Sequence, residues 1–178
     1  GSMVIQGSRL GLSSATPAAP DDPGPDEAAV EGAIAVGTAA LLDMQEGGKA
    51  GTEWPYQGVY RVNGQIPIGY RVGGTGIVAM SLIQVEGYGD DPTRREAVYR
   101  ATKFITGAIE HPLMQHDDIQ ATYDVRGWGY AYGLWFLCEL ERRALVPDDL
   151  AGATKQAIEF SLAGVAATEI PQTSGWNY

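Results

Sequence analysis

Three adjacent titratable side chains, His116, Asp117 and Asp118, follow Gln115 in a segment without apolar periodicity. Neighbouring carboxyl and imidazole groups shift one another's pKa, and together they can exchange protons with a ligand or hold a metal ion. The same residues are equally typical of a solvated loop whose carboxylates cap backbone N–H groups. The sequence leaves both interpretations open and makes Asp117, Asp118 and His116 the candidate catalytic residues.

Aromatic residues form the second group with a chemical role. The tripeptide Trp-x-Tyr occurs at residues 54–56, 128–130 and 176–178, each time after a segment that reads as helix. Rings of this size bury a large area and keep one polar atom that needs a partner, so the tripeptides are predicted to be packing pegs at equivalent helix ends. Alternatively, aromatic side chains line a concave apolar site and stabilise a carbocation through their π faces. The candidates for that site are Trp54, Tyr56, Tyr60, Tyr70, Trp128, Tyr130, Tyr132 and Trp135.

Metal and phosphate chemistry find less support in the sequence. Cys138 lies in an apolar stretch, where a cysteine is usually a small core residue. A zinc site would need Cys138 to meet the two histidines of one distant loop, and no metal or cofactor is predicted. Residues 73–76, Gly-Gly-Thr-Gly, lack the lysine of a phosphate-binding loop, and their glycines are expected to allow close helix packing.

Composition limits the partners of the protein. A chain of 178 residues with 44% hydrophobic content suits one domain with a substantial core. The formal net charge of −10 argues against nucleic acid or an anionic membrane surface, because both require a basic patch. No apolar run reaches the roughly 18 residues of a membrane span. One cysteine excludes an internal disulfide and leaves the cellular compartment undecided.

The chain divides into a tail and a helical domain. Residues 1–25 start with a Gly-Ser-Met sequence typical of an expression tag and end in a Pro/Ala/Asp-rich run, so they are predicted to be a flexible tail. A helix is expected from Asp26 to about Gly47, because its apolar residues recur at helical spacing. Its predicted face is Val30, Ile34, Gly37 and Leu41.

Four further helices are predicted. Residues 74–85 and 130–140 are apolar on nearly every face and should be covered on all sides. They alternate with amphipathic helices, each with one solvent-exposed face. These helices are predicted to begin at Asp91-Pro92 and at Pro147. The expected buried faces of this second kind are Val98, Ala101, Ile105 and Ala108, and then Leu150, Ala157, Ile158, Leu162 and Val165. The alternation predicts an internal repeat of helical hairpins in two layers.

At the helix ends, this pattern resembles the prenyltransferase and squalene-cyclase repeat superfamily. The similar stretches are Met-Gln-Glu-Gly at 44–47 before Trp54, Arg-Gly-Trp-Gly-Tyr at 126–130, and Gln-Thr-Ser-Gly-Trp at 172–176. Residues 129–134 are also similar to the start of an inner helix in uncharacterised bacterial members. The resemblance covers residues 28–178 and implies an α/α toroid, a barrel of inner helices inside a ring of outer ones. Because a closed toroid has many more helices, we expect an incomplete barrel that associates with itself or with a continuation of the chain.

The resemblance implies a binding or interaction module, with an apolar or isoprenoid ligand. An alternative is a terpenoid-cyclase-like lyase or isomerase with Asp117, Asp118 and His116 as acid and partner, assisted by Trp128 and Tyr130. Residues 115–118 lack the first Asp of the Asp-x-Asp-Asp acid of squalene-type cyclases, and the Asp-x-Cys zinc pair of protein prenyltransferases is absent at Cys138. A third interpretation is a scaffold that binds a protein partner on its concave face.

Overall fold

The computed structural model describes residues 24, 26–47, 51–119, 124–170 and 172–176. It contains five α-helices: α1 (Glu27–Asp43), α2 (Ile68–Gln84), α3 (Pro92–Ala108), α4 (Arg126–Arg142) and α5 (Ala151–Ala167). Short 3-10 turns lie at Tyr88–Asp90, Pro112–Met114 and Asp148–Leu150. Throughout these described ranges there is no β-strand, only isolated bridges, so the all-α prediction is confirmed. The predicted tail lies outside the described residues except for Gly24.

Helices α2 and α4 form the most extensive pair, and glycines allow their backbones to touch. A Cβ atom added at Gly73 would lie 3.0 Å from the carbonyl oxygen of Trp128, and one at Gly76 would lie 2.6 Å from that of Tyr132. An added Cβ at Gly69 would overlap the carbonyl oxygen of Val125. The contacts advance in the same direction along both helices, so α2 and α4 run parallel.

Helices α3 and α5 cover the other sides of this pair. Helix α3 packs on α2, α5 packs on α4, and α3 and α5 also touch each other. The four predicted core residues of α3, from Val98 to Ala108, are all buried as expected. On α5 the prediction holds for Ala157 but is wrong for Leu162, which is exposed because it lies away from both neighbouring helices.

The two apolar segments are helical, as predicted, but their burial differs. Met80 of α2 and Phe136 of α4 lie in the core. Helix α4 is nevertheless not covered on all sides, because Trp135 and Cys138 are exposed to solvent. The expectation that Cys138 is a core residue is therefore wrong: the main partners of α4 are α2 and α5, and these leave one face free.

Helix α1 departs most from the sequence prediction. None of its residues is buried, and Val30 and Ile34 of the predicted apolar face are 40% and 45% exposed. A Cβ atom added at Gly37 would meet no other atom within 4 Å, so that side of α1 is open. The helix is held by its carboxyl end, where Leu41 and Leu42 pack against the core. Gln45, just beyond the helix, also donates a hydrogen bond to the carbonyl of Ala97.

The chain makes two similar hydrogen bonds after α1 and after α5. Three residues beyond each helix, Glu46 and Ile170 donate 2.7 Å backbone hydrogen bonds, Glu46 to Glu53 and Ile170 to Gly175. In both places the residue after the hydrogen-bond acceptor is a tryptophan. Its indole N–H donates to a carbonyl in the last turn of the preceding helix, from Trp54 to Leu41 at 2.6 Å and from Trp176 to Val165 at 2.7 Å. Trp128 lies inside α4 instead, so the prediction of three equivalent helix ends is wrong for the middle copy.

Arginines fasten the connections between helices. Arg94 is buried, pairs with the N-cap carboxylate of Asp91 at 2.8 Å, and donates to the carbonyls of Val85 and Glu86. Asp91 also accepts from the backbone N–H groups of Thr93 and Arg94, so the predicted helix start is confirmed. In this way one side chain closes the turn between α2 and α3.

Replacing Gly76 by alanine is expected to destabilise the protein, because the added methyl group would meet the α4 backbone, which cannot rotate away. We expect Gly76→Ala to lower the free energy of unfolding by about 1–3 kcal/mol, measured by urea denaturation. Gly107 is the matched control, since a Cβ there meets nothing within 4 Å and alanine favours the helix. Equal stability of Gly76→Ala and the wild type would contradict the close contact.

Candidate functional site

Six aromatic side chains form a cluster of contacting rings, here called the aromatic strip: Tyr56, Tyr60, Tyr70, Trp128, Tyr132 and Trp135. Ring centroids along it are 6.1 Å apart for Tyr60–Tyr70, 5.9 Å for Tyr70–Trp128, 5.0 Å for Trp128–Tyr132 and 6.3 Å for Tyr132–Trp135. Tyr56 stacks on Trp128 at 5.6 Å. These separations are those of interacting aromatic rings, so the strip is one packed unit.

Helix α4 and the loop before α2 position the strip. Trp128, Tyr132 and Trp135 follow one another at the i, i+4, i+7 spacing of a helix face. Tyr56 and Tyr60 come from the loop, which is held against α2 because Gly74 leaves room for the loop backbone at residues 54–56. The backbone N–H of Trp54 also donates to Thr75 Oγ1 at 2.9 Å.

The strip is largely at the surface. Tyr56, Tyr60 and Trp135 are 44%, 47% and 54% exposed, whereas Tyr70 beneath them is buried. All six side chains are uncharged. Exposed aromatic area that is contiguous, rather than scattered, marks an interaction site.

Two of the predicted cavity residues lie elsewhere. Trp54 is buried beneath α1, where its indole caps the end of that helix, so it is a packing peg. Tyr130 is buried on the opposite side of α4 from the strip, and its hydroxyl donates to the carbonyl of Met114 at 2.5 Å. Burial raises the pKa of Tyr130 to about 12, because the charged phenolate would lose its hydration.

The candidate catalytic residues are neighbours in sequence but face different surroundings. The ring of His116 stacks on Phe160 at 4.3 Å and meets the edge of Tyr130 at 5.5 Å. Its Nε2 atom is buried and has no hydrogen-bond partner among the residues that the structure describes. Asp117 and Asp118, by contrast, are exposed and line a surface groove. The structure therefore brings the two carboxylates together and turns the imidazole into the core.

This groove has a volume of about 510 Å³ and lies between the first turns of α2 and α4. Its lining includes Asp117, Asp118, Asp124, Arg126 and also Tyr60, which belongs to the aromatic strip. The groove and the strip are therefore adjacent, and a ligand on the strip could reach the carboxylates at one end.

Arg126 holds the groove together. Its guanidinium pairs with Asp124 and donates to the backbone carbonyls of Gln115 at 2.6 Å, Asp117 at 2.9 Å and Asp118 at 3.1 Å. The hydrogen bonds that Arg126 donates to the carboxylate of Asp124 raise the pKa of Arg126 above its ordinary value. Sequence reasoning missed this residue, although an Asp-x-Arg pattern at a helix start is a usable signal for such a clamp.

Metal and thiol chemistry have no assembled site in the described part of the chain. No group of three or more His, Cys, Asp or Glu side chains there is arranged to hold a metal ion. Cys138 is far along α4 from the groove, and partial burial together with the nearby Glu141 raises the pKa of its thiol. Among the described residues, no helix has the length and apolar character to cross a bilayer.

The buried phenol of Tyr130 predicts a loss of stability at high pH. Because folding raises its pKa, the unfolded chain loses this proton first, and the stabilisation is full below pH 10.0 and lost as pH rises towards about 12. In Tyr130→Phe the free energy of unfolding should fall less steeply over this range, as measured by urea denaturation at each pH. An identical slope in wild type and variant would contradict the assignment.

A comparison with known protein families, with curated proteins and with solved structures gives no match for this chain. The resemblance to prenyltransferase and squalene-cyclase repeats therefore stays a prediction from sequence motifs. The function must be inferred from the side chains of the aromatic strip and its adjoining groove.

Proposed function

We propose that this domain is a binding module whose ligand lies along the aromatic strip, and that the ligand is an apolar chain of isoprenoid type. The observation that carries the proposal is that three half-exposed rings, Tyr56, Tyr60 and Trp135, belong to one cluster of contacting aromatic side chains. Leaving such area in water costs free energy that a ligand would recover.

The shape and chemistry of the strip support an elongated apolar ligand. Along α4, the rings of Trp128, Tyr132 and Trp135 follow one another at steps of 5.0 and 6.3 Å, so a flexible chain could contact them in turn. The nearest cation in α2, Arg71, is engaged by the carboxylate of Glu53 through bonds of 2.8 and 2.7 Å. The rings of the strip themselves offer π faces and hydroxyl groups, and the cation next to Tyr60, Arg61, donates a hydrogen bond to the amide of Gln57.

The helix arrangement is also compatible with the proposed superfamily. Parallel neighbours α2 and α4, with α3 and α5 packed on their other side, correspond to inner and outer helices of a two-layer repeat. The similar hydrogen bonds after α1 and α5 support a repeating unit. In such an arrangement the free face of α4, which carries Trp128, Tyr132 and Trp135, would face the concave side. We propose an incomplete α/α toroid on this basis.

The proposal assigns binding without catalysis. A carboxylic acid that protonates an alkene is expected in an apolar cavity, and Asp117 and Asp118 are exposed at the surface. His116, their expected partner, packs against Phe160 on the other side of the loop. The enzyme alternative is thus not favoured by any contact around these residues.

Titration with geranylgeraniol tests the proposal. We expect Trp135→Ala combined with Tyr132→Ala to weaken binding by about tenfold or more, because each lost ring contact is worth roughly 0.5–1.5 kcal/mol. The measurement is isothermal titration calorimetry, which does not depend on the tryptophan that is removed. Trp176→Ala is the matched control: its ring is 55% exposed, close to the 54% of Trp135, but it lies outside the strip.

Two results would count against the proposal. Equal affinity of the strip variant and the Trp176→Ala control would show that the ligand binds elsewhere. Binding of a cello-oligosaccharide in preference to geranylgeraniol would keep the strip as the site but refute an apolar ligand, since sugar rings also stack on aromatic side chains.

A further inference from the structure

A second groove lies between α1 and the far end of α2, away from the aromatic strip. It has a volume of about 780 Å³. One wall is a single face of α1 with helical spacing: Glu31, Ile34, Ala35, Thr38, Ala39 and Leu42. The opposite wall is formed by the end of α2 and the start of α3. A groove with an apolar wall of this length resembles the surfaces that receive a helix.

Within the described ranges, no other segment packs on this side of helix α1. None of its residues is buried, and Ile34 at the middle of the wall is 45% exposed. Helix α1 is attached at its carboxyl end. There the indole of Trp54 donates a hydrogen bond to the carbonyl of Leu41, and Gln45 donates one to the carbonyl of Ala97. The apolar wall is thus open to an incoming side chain along most of its length.

The free charge in this groove is negative. Glu31 on α1 and Glu86 on the facing wall form no ion pair with any residue that the structure describes. Arg94 also lines the groove, but its guanidinium is committed to Asp91 and to the carbonyls of Val85 and Glu86. An occupant that complements both walls must therefore be apolar on one side and carry basic residues beside that apolar face.

Neither α1 itself nor residues 16–25, which precede it, supply such an occupant. Helix α1 contains carboxylates but no lysine or arginine, so pairing with a second α1 would bring like charges together. Residues 16–25 likewise contain Asp21 and Asp22 and no basic residue. Both are poor matches to Glu31 and Glu86.

We propose that the groove between α1 and α2 is a docking site for a basic amphipathic helix of a partner protein. The apolar face of the partner packs on Ile34, Ala35 and Leu42, and its flanking lysines or arginines pair with Glu31 and Glu86. This site is separate from the aromatic strip and does not depend on the function proposed for it.

Two labelled model peptides test the proposal against the full chain by fluorescence anisotropy. Both form amphipathic helices of about five turns with the same leucine face, one flanked by lysines and the other by glutamates. We expect the lysine peptide to bind, to bind less tightly as salt is raised, and to slow hydrogen exchange of the α1 amides. Binding should be at least about tenfold weaker in Glu31→Lys/Glu86→Lys.

The matched control is Glu110→Lys/Glu159→Lys, which changes the net charge by the same amount at exposed carboxylates outside the groove. It should change the affinity by less than about twofold. Ile34→Asp should abolish binding without altering the helix content seen by circular dichroism. Equal losses in the two charge-reversal variants, equal binding of the glutamate peptide, or no binding of the lysine peptide would overturn the proposal.

Discussion

The close approach of α2 and α4 is the contact on which the rest of the structure depends. Glycine is the only residue that lets two helix backbones touch, because any Cβ atom at Gly69 or Gly76 would overlap a carbonyl group of α4. Each glycine lowers the stability of a helix by roughly 1 kcal/mol relative to alanine. Several glycines in one helix are therefore expected only where tighter packing offsets that loss of stability. Here the compensation is the burial of large side chains such as Leu82 and Phe136 at the same interface.

The same contact creates the aromatic strip. Tyr70 directly follows Gly69 on α2, and Trp128 and Tyr132 directly precede Gly129 and Gly133 on α4. When the glycines bring the two backbones together, the neighbouring rings are forced into contact across the helix pair. The aromatic strip is therefore a consequence of how the core is packed, and it should be rigid for the same reason.

Three arginines of this acidic protein hold its loops in place. Arg71 binds Glu53, Arg94 binds Asp91 and Arg126 binds Asp124, and the last two also donate to backbone carbonyls of a connection between helices. Positive charge is thus neutralised inside the fold, while carboxylates such as Glu31 and Asp117 face solvent. The groove beside the aromatic strip and the groove beside α1 are therefore lined by carboxylates whose charge is only partly neutralised.

The amino-acid sequence by itself determined the helical class, the start of α3 and the buried face of that helix. These features depend on local rules: an Asp-Pro cap and apolar residues at a period of 3.6. The sequence also identified the aromatic residues as a group, because the tripeptide Trp-x-Tyr recurs along the chain.

Only the tertiary structure decided how those residues were divided. Trp54 and Tyr130 are buried in the core, whereas the other candidate rings form the strip. For the rings of α4, the outcome depends on which face of the helix α2 and α5 leave uncovered. His116 was separated from Asp117 for a similar reason: successive loop residues point to opposite sides once Arg126 fixes the backbone. The exposure of α1 could likewise not be predicted from the sequence. An apolar face predicts that another segment covers it, but the pattern does not identify that segment.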